Sequence, residues 1–183
     1  SEDAESVFFD ADGDGDLDLY VCSGGVEFSK FSPYYLDKLY FNDGKGNFTE
    51  SNQILPTAIG YHSTSNVAVA DVDNDNDLDL FVGERTIPNA YGSPGSGFLL
   101  INDGKGNFAK LNATTENIKA GYFHNQLYDL DNDGKLDAIF GGSEIFGDSI
   151  YDSSPRKYNG NNRIYWNDGL GNYSYTNSNA LPL

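Results

Sequence analysis

Methionine is absent from the 183 residues, cysteine and tryptophan occur once each, and there are only 2 histidines. One cysteine cannot close an intramolecular disulfide, and the setting of Cys22 in the apolar run Leu19-Tyr20-Val21-Cys22 predicts a buried small hydrophobe rather than a nucleophile. His62 and His124 stand nine and five residues before the nearest acidic cluster, so they do not belong to one repeated metal shell. The chain has no G-x-S-x-G, no phosphate-cradling glycine loop and no His-rich zinc spacing, which leaves no recognisable catalytic apparatus. Cationic side chains are scarce: 11 Lys and Arg face 28 Asp and Glu, for a formal charge of -17. Nucleic acid and anionic membrane surfaces are therefore excluded as partners, and cations are expected. No apolar run approaches the ~20 residues of a membrane span. No signal peptide precedes Ser1, and a start without Met suggests processing.

What the chain does contain is concentrated. Of 21 Asp residues, 14 fall in three nine-residue windows, 10–18, 71–79 and 129–137, while the 7 Glu residues are scattered. A general solubilising surface has no reason to choose Asp and cluster it. The windows read D-A-D-G-D-G-D-L-D, D-V-D-N-D-N-D-L-D and D-L-D-N-D-G-K-L-D. A second motif follows each: N-D-G-K-G-N-F at Asn42, the same at Asn102, and N-D-G-L-G-N-Y at Asn167. Two motifs recurring in one order at nearly fixed spacing define a repeat of about 60 residues, with units expected at 1–57, 58–117 and 118–183.

Within each unit, short runs rich in Val, Phe, Tyr and Leu and bounded by Gly, Asn and Asp read as strands. In the first unit they fall near Val7 to Asp10, Leu17 to Ser23, Lys38 to Asn42 and from Phe48 onward, the last two joined by a tight hairpin through the N-D-G-K-G-N segment. The later units repeat the pattern, giving twelve strands in three four-stranded meanders. This predicts an all-β chain of β-propeller blades. A closed ring takes about 4 to 8 blades, so three imply further blades from additional sequence or other chains. Twelve strands could also build a β-sandwich, but regular internal repetition argues against it.

The Asp windows point to calcium, which takes six to eight hard oxygen ligands. Carboxylates at positions 1, 3, 5 and 9 of a turn can wrap one ion: Asp10, Asp12, Asp14 and Asp18; Asp71, Asp73, Asp75 and Asp79; Asp129, Asp131, Asp133 and Asp137. Position 7 is Asp16, Asp77 and Lys135, so its backbone carbonyl rather than its side chain is the expected ligand, and the side chains should point away. Position 6, which must turn the chain, is Gly15, Asn76 and Gly134, all tolerant of positive φ. An EF-hand needs a bidentate Glu at position 12 and flanking helices; Val21, Val82 and Phe140 stand there instead. About three calcium ions per chain are expected.

The loops, each preceded by a strand and followed by L-D-L-Y-V, L-D-L-F-V or L-D-A-I-F, resemble the FG-GAP or VCBS repeats of integrin α-chain propellers and many secreted bacterial proteins. The L-Y-F-N-D-G-K-G-N-F segment is similar to VCBS-repeat proteins related to cartilage acidic protein, which often carry an ASPIC/UnbV domain. The resemblance implies a propeller of about seven blades, calcium in the loop between the first and second strands of a blade, and secretion or cell-surface display. The lack of catalytic motifs and the long aromatic loops point to a non-catalytic scaffold for a protein or glycan partner. The alternative is the propeller part of a secreted polysaccharide lyase or hydrolase whose catalytic groups lie elsewhere. The loops between second and third strands are long and contain Pro and aromatics, which makes Tyr34, Tyr35, Tyr91, Tyr151 and Tyr158 candidate ligand contacts. Three glycosylation sequons begin at Asn47, Asn112 and Asn172.

Overall fold

The computed structural model describes residues 2–29, 31–58, 62–88, 97–110, 122–142 and 163–175. They form three four-stranded antiparallel sheets. The first holds β1 (Glu2–Phe9), β2 (Asp18–Gly24), β3 (Lys38–Asn42) and β4 (Phe48–Glu50). The second holds β5 (Ser63–Ala70), β6 (Asp79–Thr86), β7 (Gly97–Asn102) and β8 (Phe108–Lys110). The third holds β9 (Tyr122–Tyr128), β10 (Asp137–Gly142), β11 (Arg163–Asn167) and β12 (Tyr173–Tyr175). Each is a simple meander, every strand pairing with its sequence neighbours. Two short 3₁₀ turns, Pro33–Tyr35 and Pro56–Ala58, are the only helical segments among the described residues, and no described helix is long and apolar enough to cross a membrane.

All twelve expected strands are present, with shifted bounds. β1 begins at Glu2 rather than near Val7, because the polar stretch before Val7 continues the ladder with β2 as far as Gly24 despite lacking apolar alternation. Asp10 and Asp71 fall just outside their strands. The N-D-G turns close each β3–β4 type hairpin identically: the amides of Asp43, Asp103 and Asp168 donate to the carbonyls of Asn47, Asn107 and Asn172 at 3.1–3.2 Å.

The sheets stack, with β1 against β5 and β5 against β9, so the first strands of successive units lie side by side. One core is formed by Phe9, Ala11, Tyr20, Cys22 and Leu39 of the first sheet meeting Val67, Leu80, Val82, Phe98, Leu100 and Phe108 of the second. The opposite face of the second sheet, with Ala70, Phe81 and Leu99, meets Ala138, Tyr165 and Tyr173 of the third. Alternation along each strand thus serves two interfaces, since a sheet buried on both faces needs apolar residues at successive positions. Cys22 is fully buried in the first core, and burial pushes its thiol well above its ordinary pKa.

The Asp loops and the N-D-G turns share one edge of the stack. At the opposite edge, between the first two sheets, the buried Asp37 carboxylate accepts hydrogen bonds from Tyr20 Oη (2.7 Å), the Ser23 amide (2.8 Å) and Thr64 Oγ1. Desolvation raises its pKa against these donors, and the bonds tie both sheets to one buried charge.

The first sheet keeps one face open. Phe8 is 56% exposed and Phe48 42%, their rings 6.2 Å apart. The equivalent residues of the second sheet, Val69 and Phe108, pack against the first. Matched substitutions test this asymmetry. Phe108→Ala should destabilise the chain by about 3–5 kcal/mol, and Phe48→Ala by about 1 kcal/mol or less, its aromatic pair being the main loss. Urea unfolding of the two variants gives the comparison.

Candidate metal centres

Each Asp window connects the first and second strands of its sheet, and the three loops fold alike. Positions 4 and 6 both take left-handed backbone: Gly13, Asn74 and Asn132 at φ 77°, 63° and 61°, then Gly15, Asn76 and Gly134 at 91°, 75° and 85°. The need at position 6 was legible in the sequence. That at position 4 was not inferred, although only Gly and Asn occur there, the two residues that enter this region most readily.

Two left-handed residues curl the chain so that its amides point inward at the first carboxylate. Asp10 accepts from Gly13 and Gly15 (2.8 and 3.0 Å), Asp71 from Asp75 and Asn76 (3.2 and 3.0 Å), and Asp129 from Asp133 and Gly134 (3.1 and 3.0 Å). Position 9 is buried in every loop: Asp18, Asp79 and Asp137 are at most 2% exposed. One oxygen of each accepts the amide of loop position 2, from Ala11, Val72 and Leu130 at 2.9–3.1 Å. The other accepts the amide of the Asn that opens the hairpin motif, Asn42, Asn102 and Asn167, at 2.8–3.0 Å.

These contacts bring positions 1, 3 and 9 together. Asp10, Asp12 and Asp18 each offer a carboxylate oxygen within 4.8 Å of the others, as do Asp71, Asp73 and Asp79, and Asp129, Asp131 and Asp137. Position 5 stands outside the triads: Asp14, Asp75 and Asp133 each accept the amide of position 7 at 2.9–3.0 Å. The position 7 side chains do point away. Asp16, Asp77 and Lys135 lie against Gly44, Gly104 and Gly169 of their own hairpin turns, where an added Cβ would displace them. The positive φ of these glycines, 70°, 70° and 81°, already accounts for their identity; the contact between the two motifs was not foreseen from sequence.

The triads bear the electrostatic signature of crowded carboxylates. Burial, followed by the Asp18 charge, raises the pKa of Asp12; burial, then Asp75, raises that of Asp73. Asp79 is pushed up to about 7 by burial, against the two amides that hold it, and Asp137 is raised for the same reason. Asp73 Oδ1 is buried and finds no hydrogen-bond donor among the described residues. A buried carboxylate oxygen without a donor is costly, and a cation at the centre of the triad supplies the missing partner. All the available atoms are hard oxygens, which suit calcium, magnesium or manganese rather than soft metals.

The third loop differs in charge. Lys135 Nζ sits 2.8 Å from Asp133 Oδ2, and this bond is the main cause that lowers the Asp133 pKa. An ammonium thus stands where the other loops carry a fifth carboxylate.

Among the aromatic ligand candidates, Tyr34 is 53% exposed, with its ring 4.6 Å from that of Phe28. Tyr35 is fully buried, and its hydroxyl bonds the backbone of Phe28, which corrects its expected role: it packs its own loop. Tyr91, Tyr151 and Tyr158 lie outside the described residues. Asn47 and Asn172, two of the sequon residues, give their amide nitrogens to Asp43 and Asp168 at 2.8 and 2.9 Å, which is a turn-closing use.

Two predictions follow from the charges. A folded-state pKa raised from 3.8 to about 7 means that the folded chain prefers neutral Asp79, so the associated stability is full below 3.8 and lost as pH rises through 7. In chelator, the melting temperature should therefore fall over this window, and Asp79→Asn, melting lower overall, should show a shallower slope. Replacing Lys135 with Gln should raise the cation affinity of the third loop several-fold, by about 1 kcal/mol for one nearby charge in a wet site, measured by calorimetric titration.

Comparison with known families agrees with this geometry. The model of the FG-GAP-like repeat matches residues 10–82, from the first residue of the first Asp loop into β6, and so includes two of the loops. No curated protein matches the chain. The chain thus carries an FG-GAP-like repeat over residues 10–82, and with the third sheet built to the same plan it is an all-β array of propeller-type blades.

Proposed function

We propose that this chain is a calcium-stabilised segment of an extracellular β-propeller, acting as a non-catalytic scaffold for a protein or glycan partner. The observation that carries the proposal is the threefold recurrence of one triad, positions 1, 3 and 9, with a buried carboxylate in every copy. Repetition of the same crowded arrangement argues for one common counter-ion rather than three accidents of surface charge. Calcium suits it best, since each loop offers several carboxylates and calcium does not demand a strict octahedron. Position 5 and the position 7 carbonyl would complete the shell by closing inward. Millimolar free calcium outside cells matches the modest affinity expected of extracellular modules.

The ions are read as structural. Each loop ties the first two strands of a blade to the hairpin motif of the same blade, so loading stiffens one whole edge. The open apolar face of the first sheet, with Phe8, Leu17 and Phe48, matches the face that the second sheet buries. A further blade of the same kind, from this protein's own sequence or another chain, is the partner with the fitting shape. On the opposite edge, Phe28 and Tyr34 present a paired aromatic surface suited to stacking on a sugar or anchoring a peptide.

Calcium titration of chelator-treated protein should raise the melting temperature and show about three sites. An unchanged melt at millimolar calcium would sink the proposal. Asp10→Asn, Asp71→Asn and Asp129→Asn should each remove one site. For the partner, Tyr34→Ala should abolish any retained glycan signal on an array while leaving the calcium-dependent melt intact.

A further inference from the structure

One line of hydrogen bonds crosses all three sheets and passes through the buried carboxylate of every triad. It starts at Asp18, where Oδ2 accepts the Ala11 amide at 2.9 Å. The Ala11 carbonyl accepts Asn102 Nδ2 from the second sheet at 2.8 Å. The backbone amide of the same Asn102 donates to Asp79 Oδ1 at 2.9 Å, and Asp79 Oδ2 accepts the Val72 amide at 2.9 Å. The Val72 carbonyl accepts Asn167 Nδ2 from the third sheet at 2.9 Å. The Asn167 amide donates to Asp137 Oδ1 at 3.0 Å, and Asp137 Oδ2 takes the Leu130 amide at 3.1 Å. Ala11, Asp18, Val72, Asp79, Asn102, Asp137 and Asn167 are each at most 6% exposed.

We infer that this line couples the three cation sites: loading one Asp loop raises the affinity of the loop in the next blade. The inference rests on the calcium reading and adds a regulation to it. The bistable element is the loop itself. Without an ion, crowded carboxylates repel one another and the loop loosens; with one, the turn is fixed, and the carbonyl of position 2 is held where the next blade's Asn can bond it. That Asn is also the residue whose amide fixes the buried carboxylate of its own triad. Ordering one loop therefore lowers the cost of ordering its neighbour, and by linkage the effect is reciprocal. A second contact at each junction acts in the same direction. Gly13 of the first loop lies against the Gly104 carbonyl of the second hairpin, and Asn74 of the second loop reaches the Gly169 carbonyl of the third at 3.4 Å. Asn42 has no equivalent loop before it among the described residues, and its side-chain amide bonds the Leu17 carbonyl of its own sheet.

Asn102 and Asn167 are thus positioning residues, and the experiment separates their side chains from their backbones. Asn102→Ala keeps the amide that holds Asp79 and removes the side-chain bonds to the Ala11 carbonyl across the junction (2.8 Å) and to the Leu78 carbonyl within its own sheet (3.1 Å), of which only the first joins two loops. Calcium titration followed by amide NMR reads the loops separately, Gly15 reporting the first, Asn76 the second and Gly134 the third. In the unaltered chain, Asp71→Asn in the second loop should move the Gly15 midpoint to higher calcium by about fivefold or more, the lower end of ordinary coupling. On the Asn102→Ala background the same Asp71→Asn change should leave the Gly15 midpoint where it was. A Gly15 midpoint indifferent to Asp71→Asn in the unaltered chain would overturn the coupling while leaving calcium binding intact. No response of Gly15 to calcium at all would instead overturn the calcium reading. Should Asn102→Ala fail to fold, Asn167→Ala makes the same cut at the next junction, read by whether Asp71→Asn still shifts Gly134.

Discussion

The fold turns on a carboxylate placed where carboxylates are least comfortable. Asp18, Asp79 and Asp137 sit inside the stack, each held by two backbone amides, one from its own loop and one from the strand that opens the hairpin motif. Two charge-assisted bonds offset part of the desolvation penalty, but the raised pKa values of Asp79 and Asp137 show that they do not offset all of it. What remains is a demand for positive charge at the same point of the second and third sheets. The loop's left-handed residues, the mostly half-buried carboxylates at positions 1 and 3 and the turn glycines are arranged around that point.

The same carboxylates explain why two separate sequence motifs travel together. A hairpin beginning N-D-G would close equally well in any β-protein, through its Asp-to-Asn bonds. Here its first Asn is also a clamp on the Asp loop, and its Gly is the floor on which the position 7 side chain rests. Each motif supplies what the other leaves unsatisfied, even though the chain between their starts varies from 31 to 38 residues.

Much of this was legible in the sequence because periodicity and repetition are local signals. Strand positions followed from short apolar runs, and the carboxylate clusters from alternate Asp residues at matched places. The allocation of roles within the loop was less accessible. Position 5 looks equivalent to positions 1, 3 and 9 on paper, yet in the structure it serves the amide of position 7 and stands apart. Tyr34 and Tyr35 are neighbours of similar chemistry, yet one is exposed and the other closes its loop from within. The bonds from Asn102 and Asn167 to the preceding sheet join residues more than ninety positions apart. A contact of that range leaves no local pattern to read.

The gathering of the Asp loops and N-D-G turns on one edge gives the chain an electrical polarity. Half of its 28 acidic residues lie in the three windows on that rim, while the rim opposite carries the Phe28 and Tyr34 rings. Bare, such a molecule is a dipole with one strongly anionic pole, and it would turn that pole toward any cationic surface during encounter. Each divalent ion taken up cancels two charges at the pole, so loading would shrink the dipole and free the opposite rim to lead.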